Sequence, residues 1–268
     1  MDTFKTDETG TVTTPNTLEC GDYQLEEIHA PYGYTVDKTP IKFTVTTNTA
    51  YQMAEDGKTP VIVATKENVS VKGKITVQKI GEQLVNIHAD KDGNIQFKYE
   101  NKPVDGAKFI VKAAENITSA DNQGNIIYHK DEEVAYLTTK NGSATTKELP
   151  LGKYKVYEVV AGDGFVLNKE VKEVTLTYKD ENTPVVSESS EYENKRQTVN
   201  LSVIKLDSER DTPLSGAKFG LYAKEDIKGY DQKVLVKAGT LIETAFSDKE
   251  GNVNFHADLP LSLFEIKE

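Results

Sequence analysis

The sequence predicts an all-β protein of tandem antiparallel β-sandwiches with Greek-key-like connections, one complete unit flanked by two partial units. Two observations carry that expectation. Short stretches such as ITVQKI, AKFIVKA, EVAYLTT, KYKVYEVV and EVTLTYK alternate apolar with polar residues, are rich in Val, Ile, Thr and Tyr, and are separated by DG, NG and GN turn signals. No long stretch with a helical period competes with them. The second observation is internal repetition, which sets the frame in which each element is read.

One strand occurs three times, as LECGDYQLEEI from Leu18, LPLGKYKVYEV from Leu149 and LPLSLFEIKE from Leu259. GAKFIVKAAE at Gly106 and GAKFGLYAKE at Gly216 each lie 43 residues before their LPL, so two copies share one frame. A third landmark, ENVSVKGKITVQKI and ENKRQTVNLSVIKL, puts Asn68 and Asn194 each 11 residues before a lysine, Lys79 and Lys205, where one repeat passes into the next. Together they divide the chain into the C-terminal part of a domain at 1–70, a complete domain at 71–196, and the N-terminal part of a further domain at 197–268. Phe4 to Glu27 aligns with Phe246 to Glu268 nearly residue for residue, so both ends are expected to fall inside a domain and the chain to be a window on an array. Lys79 to Gly106 spans 27 residues against 11 from Lys205 to Gly216, which marks residues 82–103 as an insertion, expected to be an extra hairpin or loop. Closely spaced short strands in a unit of about 125 residues are the pattern of a β-sandwich.

Composition limits the function classes. The 268 residues carry 32 basic and 43 acidic side chains, a net charge of −11 with a pI near 5.0, so nucleic acid is not expected as a partner. No apolar run approaches the roughly 18 residues that cross a bilayer, and the opening MDTFKTDETG has neither the basic nor the apolar region of a signal peptide. Cys20 is the single cysteine, which excludes a disulfide framework within the segment. It stands where Leu151 and Leu261 stand in the other copies, and is expected to be a small buried core residue. His29, His88, His129 and His256 are scattered without paired spacing, so they read as surface or turn residues and no zinc site is expected. Asp90-Lys-Asp-Gly-Asn opens like a calcium loop but is followed by Gln96 and Lys98 instead of the needed glutamate, and reads as a turn between strands. With no Gly-rich phosphate loop and no GxSxG, neither a cofactor nor turnover catalysis is expected.

Every second residue of a strand shares a face. Ile75, Val77 and Lys79 therefore point together, as do Leu201, Val203 and Lys205, so a lysine twice ends an apolar stripe. After the LPL landmark, Tyr154, Val156, Glu158 and Val160 share a face, as do Tyr23, Leu25 and Glu27, and Phe264, Ile266 and Glu268, so each stripe contains a glutamate. Asn68 and Asn194 sit among residues of mixed polarity, and their inward direction follows from the shared spacing. Burying a lysine and a glutamate as ions costs several kcal/mol each and favours their neutral forms. A neutral amine is a nucleophile, and a protonated carboxyl can polarise the side-chain amide of an asparagine. Held in contact, Lys79 would attack Asn194, ammonia would leave and Glu158 would move the protons, leaving an amide bond between the first and last strands of the complete unit. Such a reaction runs once and takes no substrate. The alternative is a snorkelling lysine, or a glutamate paired with it in a buried salt bridge.

These landmarks resemble the Cna-B type, SpaA-like repeat, a prealbumin-like domain of Gram-positive pilins and adhesin stalks. The likeness spans the chain and rests on GAKF with its following apolar strand, on LPLGKYKVYEV, on EIHAPYGYTV from Glu27 and on the closing Glu-Asn pairs. In the complete unit the third of these departs to EVVAGDGFVL, with Gly162 in place of the proline and Phe165 in place of a tyrosine. The resemblance implies that the isopeptide lysine maps to Lys79 and Lys205, the catalytic acid to Glu27, Glu158 and Glu268, and the asparagine to Asn68 and Asn194. Only the complete unit holds all three. The first part has Glu27 and Asn68 without a lysine, and the last has Lys205 and Glu268 without an asparagine; together they hold a full complement, which leaves a permuted or intermolecular pairing open. The resemblance also implies an extracellular, cell-wall-associated stalk or shaft whose partners are neighbouring repeats of the same protein. Two other readings stay open: a module that binds a host matrix protein or glycan, and accessory repeats of a larger surface hydrolase. The segment contains no LPxTG sorting motif and no recognisable pilin-motif lysine. Asn101 in FKYENKP copies the closing Tyr-Glu-Asn but precedes GAKF and belongs to the insertion.

Overall fold

The computed structural model describes residues 2–54, 57–121 and 123–268. Among these residues there is no helix, and the regular elements are strands joined by turns. The chain divides into two compact units, residues 1–71 with 178–184, and residues 72–177 with 185–268.

The first unit holds β1 (Gly21–Leu25), β2 (Ile41–Val45), β3 (Gln52–Met53) and β4 (Pro60–Val61). β1 and β2 form an antiparallel ribbon in which Tyr23 lies opposite Phe43 and their rings stack 5.6 Å apart. Residues 178–184 join this unit through Tyr178, whose ring lies 4.6 Å from that of Tyr32, and through Glu181, which accepts from the backbone N–H of Ala30. With so few strands to cover it, most of the apolar surface of the unit stays open: Leu25, Ile28 and Tyr32 are exposed. Cys20 is exposed as well, which corrects the expectation of a buried core residue. Its position lies at a rim, where even the equivalent leucines stay in contact with water: Leu151 is half-buried and Leu261 is 60% exposed.

The second unit begins with a sandwich. Its strands are β5 (Lys72–Ala89), β6 (Ile95–Pro103), β7 (Lys108–Ala113), β8 (Ile117–Thr118), β9 (Ile126–Tyr128), β10 (Glu133–Thr138), β11 (Ser143–Thr145), β12 (Leu149–Pro150), β13 (Gly152–Val160), β14 (Val171–Leu176) and β15 (Val185–Asn194). One sheet is antiparallel in the order β10-β7-β13-β14. The other is organised around β5, which takes β12, β11 and β6 along one edge and β15 along the other. β15 runs parallel to β5, from Val185 opposite Lys72 to Asn194 opposite Gly81, a departure from the all-antiparallel expectation. Parallel neighbours need a long crossover between them, and here the rest of the sandwich supplies it. Between the sheets lie Ile75, Val77, Phe109, Val111, Tyr154, Val156, Leu176 and Tyr192, with alternate residues of each strand facing inward as a half-buried sheet requires. Both buried tyrosine hydroxyls are satisfied, Tyr154 donating to the carbonyl of Pro150 and Tyr192 to that of Val156, each at 2.7 Å. A bulge after Glu158 turns Val160 out of the inner face, so Val160 is exposed where the alternation predicted it inside.

Residues 82–103 are the far half of β5 and all of β6, a hairpin closed at Asp90–Asn94, where the Asp90 carboxylate accepts from the N–H groups of Asp92 and Asn94 at 2.9 Å. Residues 197–268 add β16 (Ser202–Ile204), β17 (Lys218–Ala223), β18 (Ile227–Lys228), β19 (Val234–Val236), β20 (Leu241–Phe246), β21 (Asn252–Asn254) and β22 (Phe264–Lys267), with β20-β17-β22 as one sheet and β16 paired with β21.

Gly142 holds β5 against its neighbour at the lysine. Its carbonyl accepts from the Lys79 N–H at 2.7 Å, its φ is +69°, and a Cβ there would lie 2.6 Å from Pro103 Cβ and 2.9 Å from the Lys79 carbonyl oxygen. Gly93 at the hairpin turn has a similar φ of +83° but open space around it. Gly142→Ala should therefore lower the melting temperature well beyond Gly93→Ala, which carries backbone strain alone, about 1 kcal/mol. Equal shifts in a thermal melt would show that the contact with Pro103 and Lys79 is not what requires glycine.

Candidate functional site

Three polar side chains meet between the two sheets of the sandwich. Lys79 continues the inner stripe of β5 after Ile75 and Val77, and is 0% exposed. Asn194 is the last residue of β15, the parallel neighbour of β5, and is 1% exposed. Glu158 comes from β13 in the opposite sheet, where it follows Tyr154 and Val156 on the inner face and lies opposite Phe109. The lysine does not snorkel to solvent. Its Nζ lies 3.7 Å from Glu158 Oε1 and donates to the carbonyls of Ile80 at 2.9 Å and Tyr192 at 3.0 Å. Asn194 Nδ2 donates to both carboxylate oxygens of Glu158, at 3.0 and 2.8 Å.

The electrostatics follow from the enclosure. Burial pushes the Lys79 amine below its ordinary pKa, and the neighbouring Glu158 carboxylate offsets only part of that loss of hydration. Asn194 Oδ1 is buried and has no hydrogen-bond partner, an arrangement that costs about 1–3 kcal/mol. A half-turn of the amide would exchange Nδ2 and Oδ1 at Glu158, and a protonated Glu158 is the donor that Oδ1 then requires. The ring of Phe109 packs 4.9 Å from that of Tyr192 beneath the group.

A loop fixes the carboxylate from the other side. The backbone N–H of Asn168 donates to Glu158 Oε2 at 2.7 Å, and the loop is tied to the end of β15 by Val166 N–H to the Lys195 carbonyl and by Asn168 Nδ2 to that of Glu193. The first unit repeats this arrangement in its own terms. Asn68 Nδ2 donates to both oxygens of Glu27 at 2.8 Å, and the Asp37 N–H donates to Glu27 Oε2 at 2.7 Å, again ten residues beyond the glutamate. In the last segment Lys205 Nζ lies 2.9 Å from Glu268 Oε2, near the surface, with the Glu268 side chain 52% exposed. The structure thus gathers Lys79, Glu158 and Asn194 into one group, and Glu27 with Asn68 and Lys205 with Glu268 into two pairs. Asn101 is exposed on β6 and hydrogen-bonds the side chain of Glu193.

The role of the loop N–H groups is absent from the sequence reading, although the equal spacing of Glu27 to Asp37 and Glu158 to Asn168 was a signal that could have found them. Glu243 was missed too. This buried carboxylate on β20 accepts from the N–H groups of His256 and Ala257 at 2.9 Å and pins the chain after β21; no pattern in its surroundings announces it. The four histidines are exposed, and among the described residues no three His, Cys, Asp or Glu side chains cluster as a metal site would require.

The sequence matches the profile of the SpaA prealbumin-like fold domain over residues 1–59, 98–191 and 199–268, and the chain belongs to that family. The first two matched stretches leave residues 60–97 between them, a gap that includes Lys79 and the first arm of the hairpin. Among solved structures, the chain is similar to the Bacillus anthracis TIE protein, with 24% identity and a TM-score of 0.56 over 93% of this chain and 36% of that one. It therefore spans little more than a third of that relative. Weaker likenesses are to a streptococcal ancillary pilin, with 17% identity and a TM-score of 0.31 over 94% and 72% of the two chains. The shaft pilin SpaA of Lactobacillus rhamnosus GG gives 16% identity and a TM-score of 0.31 over 68% and 81%. No curated protein matches.

The lowered pKa of Lys79 has a signed consequence. Between its folded value and the 10.5 of a free lysine, the unfolded chain binds more protons, so stability rises with pH across that window. An Asn194→Ala chain keeps the amine free. Its urea midpoint, measured relative to Lys79→Met/Asn194→Ala, should increase as pH rises toward the 10.5 of a free lysine. A difference that stays flat or falls contradicts a depressed Lys79.

Proposed function

We propose that the chain is a structural stalk or shaft segment of an extracellular, cell-wall-associated Gram-positive surface protein, and that its central sandwich is closed by a self-made amide bond between Lys79 and Asn194. The observation that carries this reading is the enclosure of an amine, a carboxyl and a carboxamide in one pocket shielded from water, with the carboxyl against both of the others. Passing one proton from Lys79 to Glu158 leaves two neutral groups, which a site of low dielectric favours over two ions. The free amine attacks Asn194 Cγ, and Glu158 supports the developing charge on the amide oxygen. Glu158 then takes the proton released by Nζ and delivers one to the departing amide nitrogen, so that the Cγ–Nδ2 bond breaks, the Nζ–Cγ bond forms and one ammonia leaves. Glu158 ends protonated, holding the one proton it first received from Lys79. The product stays in place, and the reaction is not an enzyme's turnover.

The mechanical argument rests on the parallel pair. β5 opens the sandwich and β15 ends it, so tension on the chain loads these neighbours in shear along their shared hydrogen bonds. A bond from residue 79 to residue 194 carries the load directly and spares the hydrogen bonds between β5 and β15. It also closes a loop of 115 residues, which by analogy with a disulfide of that span removes about 4–5 kcal/mol of unfolded-chain entropy. Membership of the SpaA family supports the stalk, with neighbouring repeats as its partners. A host matrix protein or glycan gains no such support from the insertion, whose apolar residues Leu84 and Phe97 are already buried.

Intact mass of the full chain is the test. The wild type should be lighter than its sequence by one ammonia, and its tryptic digest should contain a branched peptide joining Lys79 to Asn194; Lys79→Ala and Glu158→Ala should show the full mass and linear peptides. Both variants should also melt at lower temperature and be cut faster by trypsin. A wild type of full sequence mass would sink the bond, and equal trypsin half-lives across the three chains would remove its stabilising role.

A further inference from the structure

β5 does not stop at the sandwich. Past Lys79 it runs on to Ala89 and returns as β6, and the hairpin so formed buries Leu84 and Phe97, 7% and 8% exposed, in the core of Phe219, Leu221, Ile242 and Phe255. Those four residues belong to the segment that follows the linker 195–201. Polar groups fix the docking. Tyr230 N–H donates to the Leu84 carbonyl at 2.7 Å, Thr244 N–H to Asn94 Oδ1 at 3.3 Å, and the Tyr99 hydroxyl to the Asp258 carbonyl at 2.7 Å. Thr244 lies on β20, the outer strand of its sheet, so the hairpin tip engages an edge whose backbone groups would otherwise face water.

A second anchor stands beyond the other reacting strand. Arg196, two residues after Asn194, lays its guanidinium 3.8 Å from the centre of the Tyr99 ring, donates to the Leu259 carbonyl at 3.2 Å and pairs with Asp258. The arginine is therefore clamped between the hairpin and the turn before Leu259. The guanidinium on an aromatic face, with a planar set of donors satisfied by a carboxylate and a carbonyl, is an arrangement lysine cannot reproduce.

We propose that residues 82–103 together with Arg196 are an interdomain lock, whose partner is the open edge and core of the domain that follows in an array. Domains joined by a short linker alone swing against each other, since little surface is shared. Here a hairpin continuous with the lysine-bearing strand completes the core of the next domain, and the two bear load as one body. The lock is selective. The span from Lys205 to Gly216 is only 11 residues against 27 from Lys79 to Gly106, so the last segment carries no such hairpin of its own. The inference does not depend on the amide bond.

The full chain carrying Leu84→Asp/Phe97→Asp is compared with wild type and with Tyr99→Phe/Arg196→Ala by hydrogen exchange, limited proteolysis and solution scattering. In the first variant, exchange of the β20 amides should rise about tenfold or more, protease should cut within 195–201, and the radius of gyration should increase, while β7 and β13 keep their protection. In the second, which leaves the apolar face intact, cleavage at 195–201 should accelerate with β20 still protected. Wild-type exchange at β20 and wild-type cleavage in the first variant would overturn the lock. Should that variant unfold residues 202–268 altogether, unchanged cleavage in the second overturns it instead.

Discussion

A lysine and a glutamate without access to water, 3.7 Å apart, with a carboxamide hydrogen-bonded to the glutamate, are the constraint around which this sandwich is organised. Each of the three arrives on a different strand, and two sheets must close for them to meet. Apolar residues surround them on every strand involved, so hydration cannot compensate the charges, and only mutual contact or neutralisation can. Their placement demands much of the backbone: Gly142 at the lysine's own hydrogen bond, a bulge immediately after the glutamate, and a loop whose amide caps the carboxylate.

β5 is the element that connects this chemistry to the rest of the molecule. It is hydrogen-bonded along both edges, carries Lys79 midway, and then leaves the sandwich as one arm of the hairpin. The strands that bear Lys79 and Asn194 are thus both prolonged into contacts with the following segment, β5 through Leu84 and β15 through Arg196. The proposed amide bond and the proposed lock thus draw on the same two strands. In the first unit, by contrast, a glutamate–asparagine pair of the same geometry lies outside the two-stranded ribbon, with little apolar cover around it. Identical local hydrogen bonding there does not amount to the same site.

Much of this was legible in the residues. Alternation identified the inner stripes of β5 and β13 because a strand has a strict period of two, and it placed Lys79 and Glu158 among Ile75, Val77, Tyr154 and Val156 correctly. The same reasoning failed at Val160, since a bulge shifts the period and leaves no sign in composition. It failed at Cys20 because equivalence to a leucine says nothing of whether that leucine is covered. Glu243 escaped notice because its partners are backbone amides, which every residue possesses.

The order of landmarks, the repeat frame and the residue types of the candidate site were therefore determined by the sequence alone, because spacing and hydrophobic period are local properties. Tertiary structure decided what those properties cannot encode. It set β15 parallel to β5, brought Asn194 to Glu158 across the sandwich, left Asn194 Oδ1 without a partner, and packed the insertion into one core with residues of the 202–268 segment. Each of these joins residues far apart along the chain, and their distance in space is fixed only when two sheets pack and exclude water between them.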